Sequence, residues 1–299
     1  MAVTDGRAGI DASLVASLIA EQFPQWRELP VRPVPDEGWD NRTYRLGEEF
    51  TVRLPSAHGY VAAVAKEHRW LPWLSPRLSV PIPEVVGQGR PSRRFRHPWS
   101  VRRWLPGETV KEQSVPEPVR LARSVAGFIR ELQGLDATSG PRAGEHSFYR
   151  GCPLAHYDTE TRAALDRWQD LIDAGRAERV WLAAMESRQD GPPVWFHGDV
   201  AVGNLLVQAG SLSAVIDFGT SGVGDPACDL VIAWTYFSGP AREAFRDAVC
   251  QDAGRWTRAR GWALWKSLIG LTGDAEQDGL NLRIIGDVLA DPESGRARM

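Results

Sequence analysis

The sequence predicts an α+β protein, and three observations carry that expectation. Arg42 to Leu46 and Phe50 to Leu54 read as two strands joined by a Gly-Glu-Glu turn, with Pro55 closing the second. From Val119 onward the apolar residues recur mostly at helical spacing. That helical stretch is interrupted by short strand-like runs at Val194 to Phe196, Leu205 to Val207 and Ala214 to Ile216, the last two separated by a Gln-Ala-Gly-Ser turn. At 299 residues the chain can bury one large core or two modest ones, which makes two lobes a reasonable expectation.

The elements follow in order. Asp11 can cap a helix carrying Leu14, Val15, Leu18, Ile19 and Phe23, which Pro24 stops. After the predicted hairpin, residues 60 to 74 return to a helical pattern. Prolines and the cluster Arg90, Arg93, Arg94 and Arg96 mark short strands and loops between Ser79 and Pro106, and Leu105-Pro106-Gly107-Glu108 looks like a hinge. The arginine cluster reads as a solvated loop, because no stacking aromatics are interleaved through it. Val119 to Leu132 and Thr159 to Met185 are helical, as are 227 to 237, 240 to 250, 256 to 271 and 280 to 290. The expected division is residues 1–103 and 104–299.

Composition excludes several classes of function. A hydrophobic fraction of 43% with 24% charged residues is ordinary for a soluble globule, and a net charge of -3 supplies no field toward nucleic acid or anionic lipid. No segment approaches an uninterrupted membrane span, and the first residues lack an apolar leader, so neither nucleic acid nor membrane is expected as a partner and the cytoplasm is the expected compartment. Cys152, Cys228 and Cys250 lack the pairing of a zinc site or disulfide framework and read as buried free thiols. Lysine is confined to Lys66, Lys111 and Lys266, which leaves three candidates for any role that demands one.

The chemistry concentrates in two short runs, His197-Gly198-Asp199-Val200-Ala201-Val202-Gly203-Asn204 and Ile216-Asp217-Phe218-Gly219. An Asp and an Asn five positions apart on a loop between strands, then an Asp at a strand end, can supply the polar groups that phosphoryl transfer needs. Such transfer depends on positioning and metal charge, with a carboxylate accepting the proton of the incoming hydroxyl. Asp199 suits that base, and Asn204 and Asp217 offer the hard oxygens that Mg2+ prefers. The order matches the protein-kinase pattern His-Arg-Asp, Asn, Asp-Phe-Gly, with Gly198 in place of arginine. A turn and a strand end would look the same if either run stood alone.

With Gly224-Asp225-Pro226-Ala227-Cys228-Asp229-Leu230 at its end, the segment from His197 strongly resembles the aminoglycoside phosphotransferase family, protein-kinase relatives that also include macrolide kinases. The resemblance extends weakly over most of the chain. It implies a protein-kinase-like bilobal fold, with a small N-terminal lobe built on an antiparallel β-sheet and a larger, mainly α-helical C-terminal lobe. It also implies that His197 braces the catalytic loop and that Asp229 hydrogen-bonds its backbone. Only eleven residues separate Asp217 from Asp229 and no Ala-Pro-Glu motif occurs, so no protein substrate is expected. Gly198 also removes the usual partner of an activating phosphate.

By the same likeness ATP or GTP is the phosphate donor. Gly38-Trp39-Asp40-Asn41-Arg42-Thr43 resembles the turn that covers the phosphates, with Asn41 and Thr43 as contacts, although a plain hairpin turn would look the same. Arg53 stands where protein kinases carry a phosphate-binding lysine, with Glu67 as its partner; a surface pair with Glu48 or Glu49 is the alternative. The Arg103 carbonyl and Leu105 amide are the expected hinge contacts of the base. The acceptor is expected to be a small-molecule alcohol. Asp274, Glu276, Asp278, Asp287, Asp291 and Glu293 suggest an acidic wall for a cationic antibiotic, or solvated helix faces. Trp234, Trp256, Trp262 and Trp265 suggest an apolar pocket, or core. An aminoglycoside or related antibiotic is thus the first candidate, with a metabolic acceptor such as choline, homoserine or a sugar, or a silent nucleotide-binding protein, as alternatives.

Overall fold

The computed structural model describes residues 9–34, 40–110, 115–249 and 252–291; Gly38, Trp39, Lys111, Cys250 and Glu293 lie outside them. The chain divides into two compact units, Met1–Gly107 with Ser213–Gly219, and Glu108–Leu212 with Thr220–Met299.

The first unit opens with α1 (Ala12–Gln22), whose N-terminus is capped where Asp11 accepts a hydrogen bond from the Leu14 N–H at 2.8 Å. Strands β1 (Val31–Pro33), β2 (Asn41–Leu46) and β3 (Phe50–Pro55), helix α2 (Val61–Leu74), and strands β4 (Val85–Gly89) and β5 (Trp99–Arg103) follow. The strands form one antiparallel sheet in the order β1-β2-β3-β5-β4.

Register decides which side chains share a face, because successive residues of a strand point to opposite sides. Tyr44 pairs with Val52, and Val52 with Val101, so one face is apolar. It packs with Val15, Leu18 and Ile19 of α1 in a buried cluster. Asn41, Thr43, Arg53 and Arg102 fall on the other face, since Thr43 pairs with Arg53 and Arg102 with Thr51. The sheet therefore separates an oily side from a charged one. Arg90, Arg93, Arg94 and Arg96 are all exposed, consistent with a solvated loop.

The second unit holds β6 (Glu108–Thr109), α3 (Pro118–Gln133), α4 (Asp158–Arg167), α5 (Ala174–Glu186), β7 (Val194–Phe196) and β8 (Leu205–Gln208). Strand β9 (Ser211–Val215) begins in this unit and ends in the first. The chain then continues through β10 (Gly222–Gly224), α6 (Ile232–Thr235), α7 (Gly239–Val249), α8 (Ala253–Ile269) and α9 (Ala275–Ala290). The expected α+β class holds: a five-stranded antiparallel sheet comes first and a mainly helical part second. Helix α3 shows how the second core is built, with Leu121, Val125, Phe128, Ile129 and Leu132 buried along one face.

Several details differ from the sequence expectations. The helical run expected over 227 to 237 is a 3-10 segment at Pro226–Val231 followed by the single turn of α6. The expected strand Ala214 to Ile216 begins earlier, because the turn before it contains only Ala209 and Gly210, both at positive φ (49° and 74°), a geometry that closes a tight hairpin. Strand β10 was not expected among glycines; it pairs with β7, and a Cβ on Gly224 would lie 2.4 Å from the Gly151 carbonyl oxygen. Of the described cysteines, both are free, but only Cys228 is buried; Cys152 is half-buried.

Candidate active site

In the first unit, the charged face of the sheet gathers one dense cluster. Arg53 Nη2 donates to Asp217 Oδ1 at 2.6 Å, and Arg53 Nη1 stands 3.8 Å from Glu67 Oε1. With its amide oxygen turned to the guanidinium, Asn41 accepts from Arg53 Nη2 at 2.9 Å and Nε at 3.1 Å. Glu67 gives its carboxylate chiefly to Arg102, with oxygens 2.7 and 3.3 Å from the two Nη atoms. Arg53 is therefore not paired with Glu48, which bonds Arg45. Thr43 is half-buried beside Arg53 in the β2–β3 register, so Asn41 and Thr43 are strand residues rather than parts of a turn.

The electrostatics follow from burial and neighbours. Burial works against the charge of Arg53, but Asp217 and Glu67 outweigh it and hold the guanidinium more firmly protonated than usual. Burial dominates for Arg102 and lowers its pKa, with Glu67 opposing and Arg53 adding to the fall. Lys66, also buried, is pushed down to about 8 by desolvation despite Glu67 and Asp217. Neither Lys66 nor Arg102 was singled out by sequence reasoning. Lys66 was noted only as one of three lysines, and the polar run of β5 was the hint for Arg102.

Asp217 belongs to this unit because its segment is tied there: Val215 N–H donates to the Pro81 carbonyl at 3.0 Å and Ser213 Oγ to the Pro106 carbonyl at 3.2 Å. Its backbone is left-handed, with φ of 68°, an uncommon state for a residue with a side chain. At the end of β5, the exposed Arg103 donates its N–H to the Glu84 carbonyl at 2.9 Å and sets its guanidinium on Glu84 at 3.1 Å; Leu105 is half-buried.

In the second unit, the loop after β7 is anchored through its backbone. Asp229 is fully buried and accepts from the N–H groups of His197 at 2.8 Å and Gly198 at 2.6 Å. Burial raises the Asp229 carboxyl to about 6 even though His197 and the two N–H donors favour its charged form. His197 is buried as well; its Nδ1 accepts from the Asp199 N–H at 3.2 Å and its carbonyl from Thr220 Oγ1 at 3.0 Å. Gly198 has φ of 87°, and a Cβ there would meet the Thr220 carbonyl oxygen at 2.8 Å, so the arginine of the protein-kinase pattern has no place in this loop.

That anchoring presents Asp199, whose side chain is 37% exposed. Asn204 Nδ2 donates to the Asp199 carbonyl at 2.9 Å and to its Oδ2 at 3.0 Å, while Lys266 Nζ on α8 stands 2.9 Å from Oδ1. Asn204 thus commits its amide nitrogen to Asp199, which leaves its amide oxygen as the group a ligand would use. Lys266 was noted in the sequence only as one of three lysines; a distance of 67 residues from Asp199 hid the pairing. Magnesium suits the oxygen donors of Asn204 and Asp217, although Asp217 Oδ1 is already engaged by Arg53. Among the described residues no cluster of three His, Cys, Asp or Glu could hold a metal by itself.

Four of the acidic residues near the C-terminus serve structural ends, while Glu276 is exposed. Asp274 caps α9, and Asp278 is buried under the Thr272 and Gly273 N–H groups. Asp287 pairs with Arg242 at 2.6 Å, and Asp291 accepts from the indole N–H groups of Trp234 and Trp256. Trp234 and Trp256 are core residues in the second unit. Trp262 and Trp265, also buried, border a small pocket beside Asp199.

Comparison with known proteins adds the family. An aminoglycoside 3'-phosphotransferase of Escherichia coli is 26% identical over 168 residues, which cover 55% of this chain and 60% of that protein's length. The structure resembles the GDP complex of an aminoglycoside 2'-phosphotransferase-IIIa mutant with a TM-score of 0.71, at 20% identity over 93% of this chain and 95% of the other. It also resembles a macrolide 2'-phosphotransferase from Brachybacterium faecium, with a TM-score of 0.60 at 22% identity, covering 95% and 99% of the two chains. These likenesses establish a shared kinase-like fold. Residues 31–265, most of the chain, match the phosphotransferase enzyme family, and the chain belongs to it.

Proposed function

We propose that this protein transfers the γ-phosphate of ATP or GTP to a hydroxyl of a small molecule, with Asp199 as the general base. The observation that carries the reading is the state of Asp199: a half-exposed carboxylate held by the Asn204 amide and by Lys266, on a loop whose backbone Asp229 pins. A base must be oriented yet reachable by its substrate, and this arrangement meets both needs. Family membership and the GDP-bound relative support a nucleotide as donor.

In this reading Asp199 takes the acceptor proton as the hydroxyl attacks, and Asn204 keeps the carboxylate turned toward it. His197 acts through the backbone it braces. Asn204 and Asp217 are the proposed ligands of Mg2+, which when bound neutralises charge on the transferring phosphate. Arg53 and Asn41 serve the triphosphate, with Glu67 and Arg102 fixing the position of Arg53; Thr43 lies beside them on the strand. The Arg103 carbonyl and Leu105 amide serve the nucleobase. The cytoplasm, where nucleoside triphosphates are supplied, is the proposed compartment.

The relatives make antibiotics the first acceptors to try. Phosphate transfer from ATP and from GTP, with magnesium, is to be measured across aminoglycosides, macrolides, peptide and nucleoside antibiotics, choline, homoserine and sugars, with Asp199→Ala alongside. Transfer by the wild type that Asp199→Ala abolishes supports the proposal. Transfer retained by Asp199→Ala, or none to any acceptor, rejects it.

A further inference from the structure

The Lys266 ammonium has a single polar partner among the described residues: its Nζ stands 2.9 Å from Asp199 Oδ1. Both side chains are more than a third exposed, and an ion pair so open to water adds little to stability. What the pair does set is the charge that an arriving ligand meets. With Asn204 on Oδ2 and Lys266 on Oδ1, each oxygen of Asp199 carries a donor, and its negative charge is matched before any acceptor arrives.

Arg150 is a second cation close by. Together with Lys266, Trp262 and Trp265 it borders a space of about 10 Å3 beside Asp199, and no other carboxylate among the described residues borders that space. Glu160 of α4, which accepts the Trp265 indole N–H at 2.7 Å, does not reach it. The space is roughly one water in size, so the acceptor lies outside it and meets Asp199 and Lys266 together from their solvent side. An ammonium group beside the reacting hydroxyl would there face the like charge of Lys266, while the carboxylate it seeks is already matched. A hydroxyl needs only one remaining lone pair of Asp199 and meets no such opposition.

We propose that Lys266 is a specificity-determining residue, which selects acceptors whose reacting hydroxyl has no ammonium group beside it. Its charge stands in the position that a cationic ligand would otherwise take on Asp199. The inference rests on the reading of Asp199 as the base, because only then does the acceptor come to this carboxylate.

The test measures binding of a polycation, kanamycin, to the full chain by calorimetry without nucleotide. Wild type is compared with Lys266→Gln, Lys266→Met and Lys266→Arg, and with Lys266→Gln made in an Asp199→Asn background; thermal melting checks that each folds. Lys266→Gln and Lys266→Met are expected to bind kanamycin about fivefold tighter or more, from a repulsion lost and an ion pair gained. Lys266→Arg, which keeps the charge, should match the wild type, and the gain should vanish when Asp199 is neutralised. A lysine that merely oriented Asp199 would change turnover without this gain. No gain in Lys266→Gln and Lys266→Met, with absence of binding by every variant included, would overturn the proposal. So would an equal gain in Lys266→Arg, or a gain that survives Asp199→Asn. Turnover is read separately: if Asp199→Ala still transfers phosphate, the base assignment fails, whereas a failed titration alone removes only the role given to Lys266.

Discussion

The two units hold the carboxylates of the candidate site by opposite means. In the first, charge is balanced side chain against side chain at the charged face of the sheet: Arg53 with Asp217 and Asn41, Arg102 with Glu67. In the second, the chain itself is held, through the two N–H groups on Asp229, and the half-exposed Asp199 supports little else. The difference separates two experimental signatures. Removing a member of the first cluster strands a buried ion and registers in stability, whereas removing Asp199 registers in turnover.

The largest effect is expected from Asp199→Ala, a fall in turnover of about a thousandfold, within the range for a general base. Nucleotide affinity should stay within threefold and the melting temperature should barely move, because Lys266 is 41% exposed and can be solvated alone. A stability loss as large as the activity loss would break the comparison. Next comes Asp217→Ala, which leaves the buried Arg53 guanidinium short of its closest partner. Denaturant unfolding should show a loss of about 3 kcal/mol, and magnesium–nucleotide affinity should fall at least tenfold.

Asp229 sharpens the contrast through pH. Burial raises its carboxyl from 3.8 to about 6, so between those values the folded state keeps a proton that the unfolded chain has released. Its contribution to stability therefore declines as pH rises from about 4 to about 6, and is level above that. Unfolding of wild type and Asp229→Asn across pH 4 to 7 should diverge by about 3 kcal/mol, roughly two pH units at about 1.4 kcal/mol each, with the wild type losing ground as pH rises. Parallel curves would mean the buried carboxyl does not titrate there. The smallest change belongs to Glu48→Ala, which removes only a largely exposed carboxylate facing the half-buried Arg45 and should alter stability by less than about 0.5 kcal/mol.

Much of this was legible in the sequence because it is local. The hairpin, the amphipathic helices and the Asp199–Asn204 spacing are set within a few residues, where alternation and turn chemistry speak directly. The Asp11 cap was readable for that reason; Asp252 and Asp274 could have been, and each in fact opens a helix earlier than apolar spacing alone suggested. Partnerships were not legible. Glu67 prefers Arg102 over Arg53, and Asp199 meets Lys266, because three-dimensional register brings together residues 35 and 67 positions apart. In a chain so rich in arginine, residue type alone cannot choose among candidates. The caps and ion pairs that Asp274, Asp278, Asp287 and Asp291 make are likewise not revealed by composition.

The segment Ser213–Gly219 sets a limit on how this protein can be cut or recombined. It lies far along the chain, yet it completes the first unit and delivers the carboxylate that neutralises Arg53. A fragment ending at Gly107 would carry the guanidinium without its closest counter-ion, and a chimera made with one junction there would take that carboxylate from a foreign sequence. Gene fusions that respect this protein must exchange two stretches together, so its first unit is inherited as a discontinuous module.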